Sequence, residues 1–190
     1  DFYVSNDYIA PDYLYINNQL GGFTDELGKR LTHTSHFSMG NDIADINNDG
    51  LPEIITLDML PEDNRRQKLL LSLENYENHD LNVRSGLHRQ YMRNMLHTNL
   101  GNGMYNEVGQ LAGISNTDWS WAALLIDADN DGYPDFFEGH DSDGNNLPDA
   151  GSPAGNGVSG GAAATRERLL RQYEGSVIAS GDELVFAVLN

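Results

Sequence analysis

The sequence predicts a mostly β chain in which two copies of one blade-like unit flank a helical insertion and a short helix plus hairpin forms the tail. Three observations predict it. Short β-forming runs are cut by Gly, Asn and Pro, the pattern of small antiparallel strands. Most of these runs recur at one fixed offset of 82 positions. Three acidic stretches, each nine residues long, carry oxygen-bearing side chains at alternate positions.

The repeat organises the rest. Leu14-Tyr15-Ile16-Asn17 through Gly21 and Phe23-Thr24-Asp25 matches Leu96-His97-Thr98-Asn99 through Gly103 and Tyr105-Asn106-Glu107. The same shift carries Ser38 to Ser120, Asp45 to Asp127, Asp49-Gly50 to Asp131-Gly132 and Pro52-Glu53 to Pro134-Asp135. No insertion falls inside the matched unit, and a unit of this size signals an array of one supersecondary element. The first copy, within 1–60, predicts strands at Tyr13–Asn17, Phe23–Asp25, Ser38–Asp45 and Ile54–Asp58. The second, within 95–140, predicts Met95–Asn99, Met104–Val108, Trp119–Asp127 and Asp135–Phe137. Three or four short strands with an acidic loop between the last two suggest a propeller-type blade.

The insertion, 61–94, reads differently. Pro61-Glu62-Asp63-Asn64 suits the first turn of a helix, and Leu69, Leu70, Leu73 and Tyr76 follow at helical spacing. A second helix is expected over 85–94. Six of the eleven basic residues lie here: Arg65, Arg66, Lys68, Arg84, Arg89 and Arg93. They read as the solvated or acid-paired face of a helical cap. After the second copy come a third acidic loop (141–152), a Gly-rich linker (153–163) and a tail (164–190). The tail predicts a helix over Thr165–Tyr173, then a hairpin of Ser176–Ser180 and Glu183–Leu189 around Gly181-Asp182. Its last strand is apolar on both faces and wants burial, in the sheet or against another chain.

The acidic loops carry the chemistry. Positions one, three, five and nine are Asp45, Asn47, Asp49 and Glu53 in the first, and Asp127, Asp129, Asp131 and Asp135 in the second. In the third they are Asp141, Asp143, Asn145 and Asp149. Alternate residues of a tight loop can point inward, and Gly at position six (Asn146 in the third loop) permits the left-handed turn that closes it. The carbonyls at position seven, on Leu51, Tyr133 and Leu147, would add a ligand each. Six to eight oxygens converging at about 2.3–2.6 Å are what a calcium ion requires, so Ca2+ is the expected cofactor. An EF-hand reading exists for the second loop alone, with Glu138 at position twelve; Pro134 at position eight and the strand-like Phe136-Phe137 oppose it.

Composition narrows the partners. The 190 residues hold 29 acids against 11 bases, a net charge of −18, which argues against nucleic acid and anionic membrane surfaces. The loops contain ten of those acids, clusters that repel one another without a cation and become cross-links with one. With no cysteine there is neither a disulfide framework nor a thiolate site. No apolar run is long enough to span a bilayer. The opening Asp1-Phe2-Tyr3-Val4 reads like the middle of a strand, as in a mature or excised piece. Among the six histidines, His33 and His36 are close enough in sequence for a zinc pair, though a solvated or hydrogen-bonded role is the ordinary one. Trp119 and Trp121 bracket Ser120 on a predicted strand and so share a face, for packing or as a sugar platform. No nucleophile elbow, P-loop, dinucleotide fingerprint or His-Glu-x-x-His is present, so no enzymatic activity is expected.

The loops Asp45–Glu53 and Asp127–Asp135, each preceded by a β-run and followed by apolar residues, resemble the FG-GAP/VCBS repeats of integrin-α-like propellers. Tyr13-Leu14-Tyr15-Ile16-Asn17, Phe23-Thr24-Asp25, Asn99-Leu100-Gly101-Asn102-Gly103 and Trp119-Ser120-Trp121 are similar to the version in large secreted bacterial proteins, often with an ASPIC/UnbV tail. The resemblance covers about residues 1–137. It implies an extracellular, calcium-stabilised β-propeller used for adhesion or scaffolding, with Asp45, Asn47, Asp49 and Glu53 and Asp127, Asp129, Asp131 and Asp135 as ligands. The chain departs from that pattern in three ways: it has two copies where such propellers have about seven blades, Glu53 stands where Asp is usual, and the pattern stops after Phe137. The third loop resembles instead the Asp-rich repeats of thrombospondin type 3 modules. The resulting expectation is a calcium-binding structural or adhesion module at the cell surface, with a protein or glycan partner and self-association as a homo-oligomer or fibre. The alternative is a carbohydrate-binding or polysaccharide-lyase-associated fragment, in which Trp119, Trp121, Arg89 and Arg93 would line a groove.

Overall fold

The computed structural model describes residues 1–69, 76–128, 130–140 and 185–188. Strands β1 (Phe2–Val4), β2 (Tyr13–Asn17) and β3 (Phe23–Asp25) form a first antiparallel sheet in that order. One helical turn, α1 (Leu27–Arg30), and a short strand, β4 (Thr34–Ser35), lead to β5 (Gly40–Ala44) and β6 (Glu53–Leu57), which the first acidic loop connects. The insertion supplies α2 (Asn64–Leu69), α3 (Tyr76–Arg84) and β7 (Gln90–Tyr91), the last pairing parallel with β4. Strands β8 (Met95–Asn99) and β9 (Tyr105–Glu107) follow and complete a four-stranded antiparallel sheet, β5-β6-β8-β9. After α4 (Gly109–Ala112), strands β10 (Ser120–Ile126) and β11 (Asp135–His140) flank the second acidic loop. Strand β12 (Val185–Val188) pairs antiparallel with β11, Val188 opposite Asp135 and Val185 opposite Glu138.

The chain is thus mostly β, and the repeat holds at the level of whole elements. A shift of 82 takes the start of β2 to that of β8, β3 to β9, α1 to α4 and β6 to β11. The sheets are nevertheless out of phase with it. The four-stranded sheet draws β5 and β6 from the first copy and β8 and β9 from the second, with Ile54 opposite His97 across the junction. Each acidic loop therefore joins the first two strands of its own sheet.

Packing explains why the four-stranded sheet is central. Glu53, Ile54, Ile55, Thr56 and Leu57 of β6 are all buried, as expected for a strand covered on both faces. Ile54 packs with Tyr3, Leu14, Leu27 and Leu31, toward the first sheet. Ile55 and Leu57 pack with Ile46, Leu96, Ile114 and Phe136, toward the last. Strand β5 is tied on both sides: Asn41 Nδ2 donates to Ser5 Oγ at 2.6 Å, and Leu125 N donates to Asp42 Oδ2 at 2.7 Å. Gly40 lets β10 approach, since a Cβ there would lie 2.5 Å from the Trp121 carbonyl oxygen.

One expectation is corrected. The second insertion helix lies at Tyr76–Arg84 rather than 85–94. Gly86, at φ 88, ends it with its N–H on the Val83 carbonyl, and Gln90–Tyr91 is drawn off into pairing with β4. Trp119 precedes β10, Trp121 lies within it, and the register shifts between Ser120 and Ala122. Glu138 stands on strand β11, where Thr117 Oγ1 donates to its Oε2 at 2.7 Å, in keeping with the strand-like sequence that opposes an EF-hand. Of the tail, the linker, the helix over Thr165–Tyr173 and the first hairpin strand lie outside the described residues.

Candidate cation loops and the buried polar braces

The two acidic loops have the same backbone design. In the first, Asp45 receives the Asp49 N–H on Oδ1 at 3.1 Å and the Gly50 N–H on Oδ2 at 2.8 Å. In the second, Asp127 receives the Asp131 and Gly132 N–H groups in the same way, each at 3.1 Å. Asp49 Oδ1 accepts from Leu51 N, and Asp131 Oδ1 from Tyr133 N, both at 2.8 Å. Asn48 and Asn130 hold φ near 60°, and Gly50 and Gly132 follow at 86° and 94°. Asparagine and glycine are the residues that tolerate this left-handed region. The position-one carboxylate thus folds the loop around itself.

Position nine closes the loop from its far end. Ile46 N donates to Glu53 Oε2 at 3.0 Å, and Ala128 N donates to Asp135 Oδ2 at 2.8 Å. Glu53 is fully buried, and its second oxygen accepts from Asn99 N of β8 at 3.3 Å. Burial pushes its carboxyl above the ordinary range; the two N–H groups oppose that, while the charges of Asp49 and Asp45 add to it. The loops also touch. Asn48 Nδ2 donates to the Gly132 carbonyl at 2.7 Å, so the two turns sit side by side.

The donor set fits a hard cation. In the first loop Asp45, Asn47, Asp49 and Glu53 offer only oxygen, and Coulomb repulsion reaches Glu53 from both aspartates, which places three carboxylates in one electrostatic neighbourhood. Among the described residues, no three His, Asp or Glu side chains are grouped so that they could hold a metal ion. In the first loop the third position is Asn; in the second, Asp129 lies outside the described residues. Asp141, Asp143, Asn145, Leu147 and Asp149 of the third loop also lie outside them.

Sequence reasoning missed a second class of polar residue, the buried braces between sheets. Asp12 accepts from Tyr3 Oη at 2.5 Å, Ser38 Oγ at 3.0 Å and Asn6 N at 2.8 Å. Burial drives its pKa up to about 6 against the pull of those three donors. Its counterpart in the second copy is Asn94, which donates to the Ile114 carbonyl at 2.9 Å and Thr117 Oγ1 at 2.6 Å. Asn94 Oδ1 accepts from Asp58 N at 2.7 Å, and the Asp58 carboxylate takes Ser35 Oγ–H and the His36 and Phe37 N–H groups. The 82-residue offset was the available signal, since it aligns Asp12 with Asn94 immediately before equivalent strands.

The remaining candidates separate in space. His33 faces Glu107 Oε2 at 3.2 Å and Arg93, whereas His36 lies against Tyr8 and Phe37, so the two do not act as a pair. Burial works against ionisation of Glu107, but the His33 bond, the Gly109 N–H and the Arg93 guanidinium outweigh it and hold its carboxyl down at about 2. Arg66 pairs with Asp118 and Arg84 with Asp80, the acid-paired arrangement expected of the insertion. Arg93 is engaged by Glu107 and by the Tyr91 ring, 5.2 Å away. Among the described residues no helix is long and apolar enough to cross a membrane. Comparison of the chain with protein-family models and with curated proteins finds no match.

Proposed function

We propose that the chain is an extracellular calcium-binding structural or adhesion module in which one Ca2+ ion orders each acidic loop. In this reading the four-stranded sheet is one propeller-type blade, and the sheets on either side belong to its neighbours. The carrying observation is the pair of equivalent loops, braced by the same bonds at positions one, five and nine and seated side by side. Asp45, Asn47, Asp49, Glu53 and the Leu51 carbonyl would hold one ion. Asp127, Asp129, Asp131, Asp135 and the Tyr133 carbonyl would hold the other. The excess of acids supports the same reading, because a cation removes the repulsion the loops otherwise carry. A larger assembly, as homo-oligomer or fibre with a protein or glycan partner at the cell surface, gives such a module its use. The lyase-associated reading has less support, since Arg93 is already held by Glu107.

Calorimetric titration of the full chain with calcium tests the proposal. At least two sites are expected, with a rise in melting temperature that EDTA reverses. A site filled to a hundred times its Kd contributes about 2.7 kcal/mol. Asp127→Ala should remove one site, while Asp80→Ala, on the exposed insertion helix, should remove none. An unchanged melting curve and no heat in the wild type would sink the reading.

A further inference from the structure

A polar pocket of roughly 220 Å³ lies where α3 meets the loop between β1 and β2, and it shares no residue with the acidic loops. Its polar lining is three imidazoles, His36, His79 and His88, and three carboxamides, Asn78, Asn82 and Gln90. Tyr8 and Ile9 provide the apolar part. In a chain of net charge −18, no Asp, Glu, Lys or Arg is among the described residues of this lining. Burial lowers the pKa of His88, with the charges of His33 and Arg89 acting in the same direction, so its ring is neutral at neutral pH.

Tyr8 marks the pocket as built. It stands at φ 74, a left-handed conformation that is an outlier for a bulky side chain, costs on the order of 1–3 kcal/mol and persists only where its surroundings impose it. Here they do. Asp7 bridges to Phe37, and Gln90 Nε2 donates to the Tyr8 and Ala10 carbonyls at 3.5 and 3.3 Å. The Tyr8 ring stacks 6.0 Å from His36 and 5.7 Å from Phe37. Despite these restraints it remains 43% exposed. The fold therefore holds a strained aromatic residue in place and leaves much of its ring open.

We infer that this pocket binds one ring of a neutral sugar, with Tyr8 against the apolar C–H face and the carboxamides and imidazoles on the hydroxyls. Each carboxamide, and the neutral ring of His88, both donates and accepts, which matches the dual character of a hydroxyl. A charged ligand would find no carboxylate, ammonium or guanidinium in the described lining, and a wholly apolar one would desolvate six polar side chains without replacing their bonds. The volume is below the ~300 Å³ at which pockets for drug-sized ligands begin, which limits the occupant to a single ring. The inference extends the reading of an interaction module but rests on no calcium site.

Amide NMR titration of the full chain with glucose, galactose, mannose and N-acetylglucosamine, alongside glucuronate, tests it in calcium and in EDTA. At least one neutral sugar should shift the Tyr8 backbone amide and the Asn82 and Gln90 side-chain amides, with a Kd of about 1 mM, some −4 kcal/mol. Asn82→Leu, on the half-exposed helix, should weaken binding at least roughly tenfold, about 1.4 kcal/mol, without lowering the melting temperature. Tyr8→Gly should raise the melting temperature by relieving the strain and still lose the sugar, a combination that a purely structural Tyr8 would not produce. Silence toward every neutral sugar, tighter binding of glucuronate, or unchanged binding by both variants would overturn the inference. A calcium-dependent melting shift without sugar binding would remove the pocket and leave the loop reading standing.

Discussion

The two copies of the repeat solve one loop problem with different residues at position nine and one brace problem with different residues before the second strand. Glu53 and Asp135 both accept the N–H of position two, and Glu53, longer by one methylene, also accepts Asn99 N from β8. Asp12 and Asn94 occupy equivalent places in the chain, yet Asp12 gathers three donors around a carboxylate while Asn94 uses both ends of its amide. An amide satisfied at both ends carries no desolvated charge. A buried carboxylate does, and its raised pKa measures that cost. Equivalent position therefore does not mean equivalent energetics, and exchanging residues between the copies isolates the difference.

Asp12→Asn, which installs the second copy's residue in the first, is expected to have the largest effect. The folded-state pKa of Asp12, about 6, lies above its unfolded value of about 3.8. Between those values the folded chain holds the proton and the unfolded chain does not, so this group's contribution to stability weakens as pH rises through the window. At pH 7 the ionised, buried carboxylate costs on the order of 2–3 kcal/mol, a little over 1.36 kcal/mol per pKa unit across about two units. His97, held down near 4 by burial, acts in the opposite sense, losing stability as pH falls from its ordinary value. The informative quantity is thus the difference between variant and wild type by denaturant melts at several pH values. It should favour Asp12→Asn at pH 7 and vanish near pH 4. A difference that does not change with pH would mean that the charge of Asp12 is not what distinguishes the two braces.

Gly40→Ala comes next. Its counterpart in the second copy is Ala122, so the repeat tolerates a methyl at this position in one strand. In β5 that methyl would lie 2.5 Å from the Trp121 carbonyl oxygen, which is backbone and cannot swing away. Separating the strands should cost about 2 kcal/mol, read as a lower denaturation midpoint with an unchanged slope. Ala122→Gly should cost less than about 1 kcal/mol, the ordinary penalty of Gly within a strand. Equal effects at the two positions would mean that β5 and β10 do not pack asymmetrically.

Local pattern made the strands legible, but not their partners. Tyr13–Asn17 and Met95–Asn99 were predicted at the residues they occupy, because apolar runs stopped by Gly and Asn are a local signal. That β6 would pair with β8 across the whole insertion was not legible, since either copy alone offers enough strands for a sheet. The turns at Asp45–Glu53 and Asp127–Asp135 were legible from the Asn and Gly positions. The braces were not: a lone Asp12 or Asn94 in sequence looks like a turn residue, and only burial reveals its donors. His33 and His36 took the ordinary hydrogen-bonded and packed roles favoured over a zinc pair, being neighbours in the chain whose side chains face different partners. The pocket had no sequence signature at all, because Tyr8, His36, Asn82 and Gln90 come from four separate stretches.

The smallest expected effect is also the sharpest probe of position nine. Glu53→Asp shortens the side chain to that of the second copy. It should keep the bond from Ile46 N, as Asp135 keeps the bond from Ala128 N, and lose the one from Asn99 N. In calcium-free buffer the loss of one such bond costs about 1 kcal/mol. Calcium affinity should respond differently, because in the proposed reading an aspartate fills position nine of the second loop: Glu53→Asp should hold it within about twofold, or 0.4 kcal/mol. Glu53→Gln separates the two readouts. It keeps nearly the same length and reach but removes the charge that repels, and is repelled by, Asp45 and Asp49. A carboxamide can accept from only one of Ile46 N and Asn99 N, so calcium-free stability should again fall by about 1 kcal/mol, while calcium affinity at that site should drop at least roughly tenfold, about 1.4 kcal/mol. If both variants instead leave calcium affinity unchanged and lower only calcium-free stability, Glu53 is a brace between the loop and β8. The first site would then hold its ion through Asp45, Asn47, Asp49 and the Leu51 carbonyl, and the two copies would differ in coordination as well as in packing.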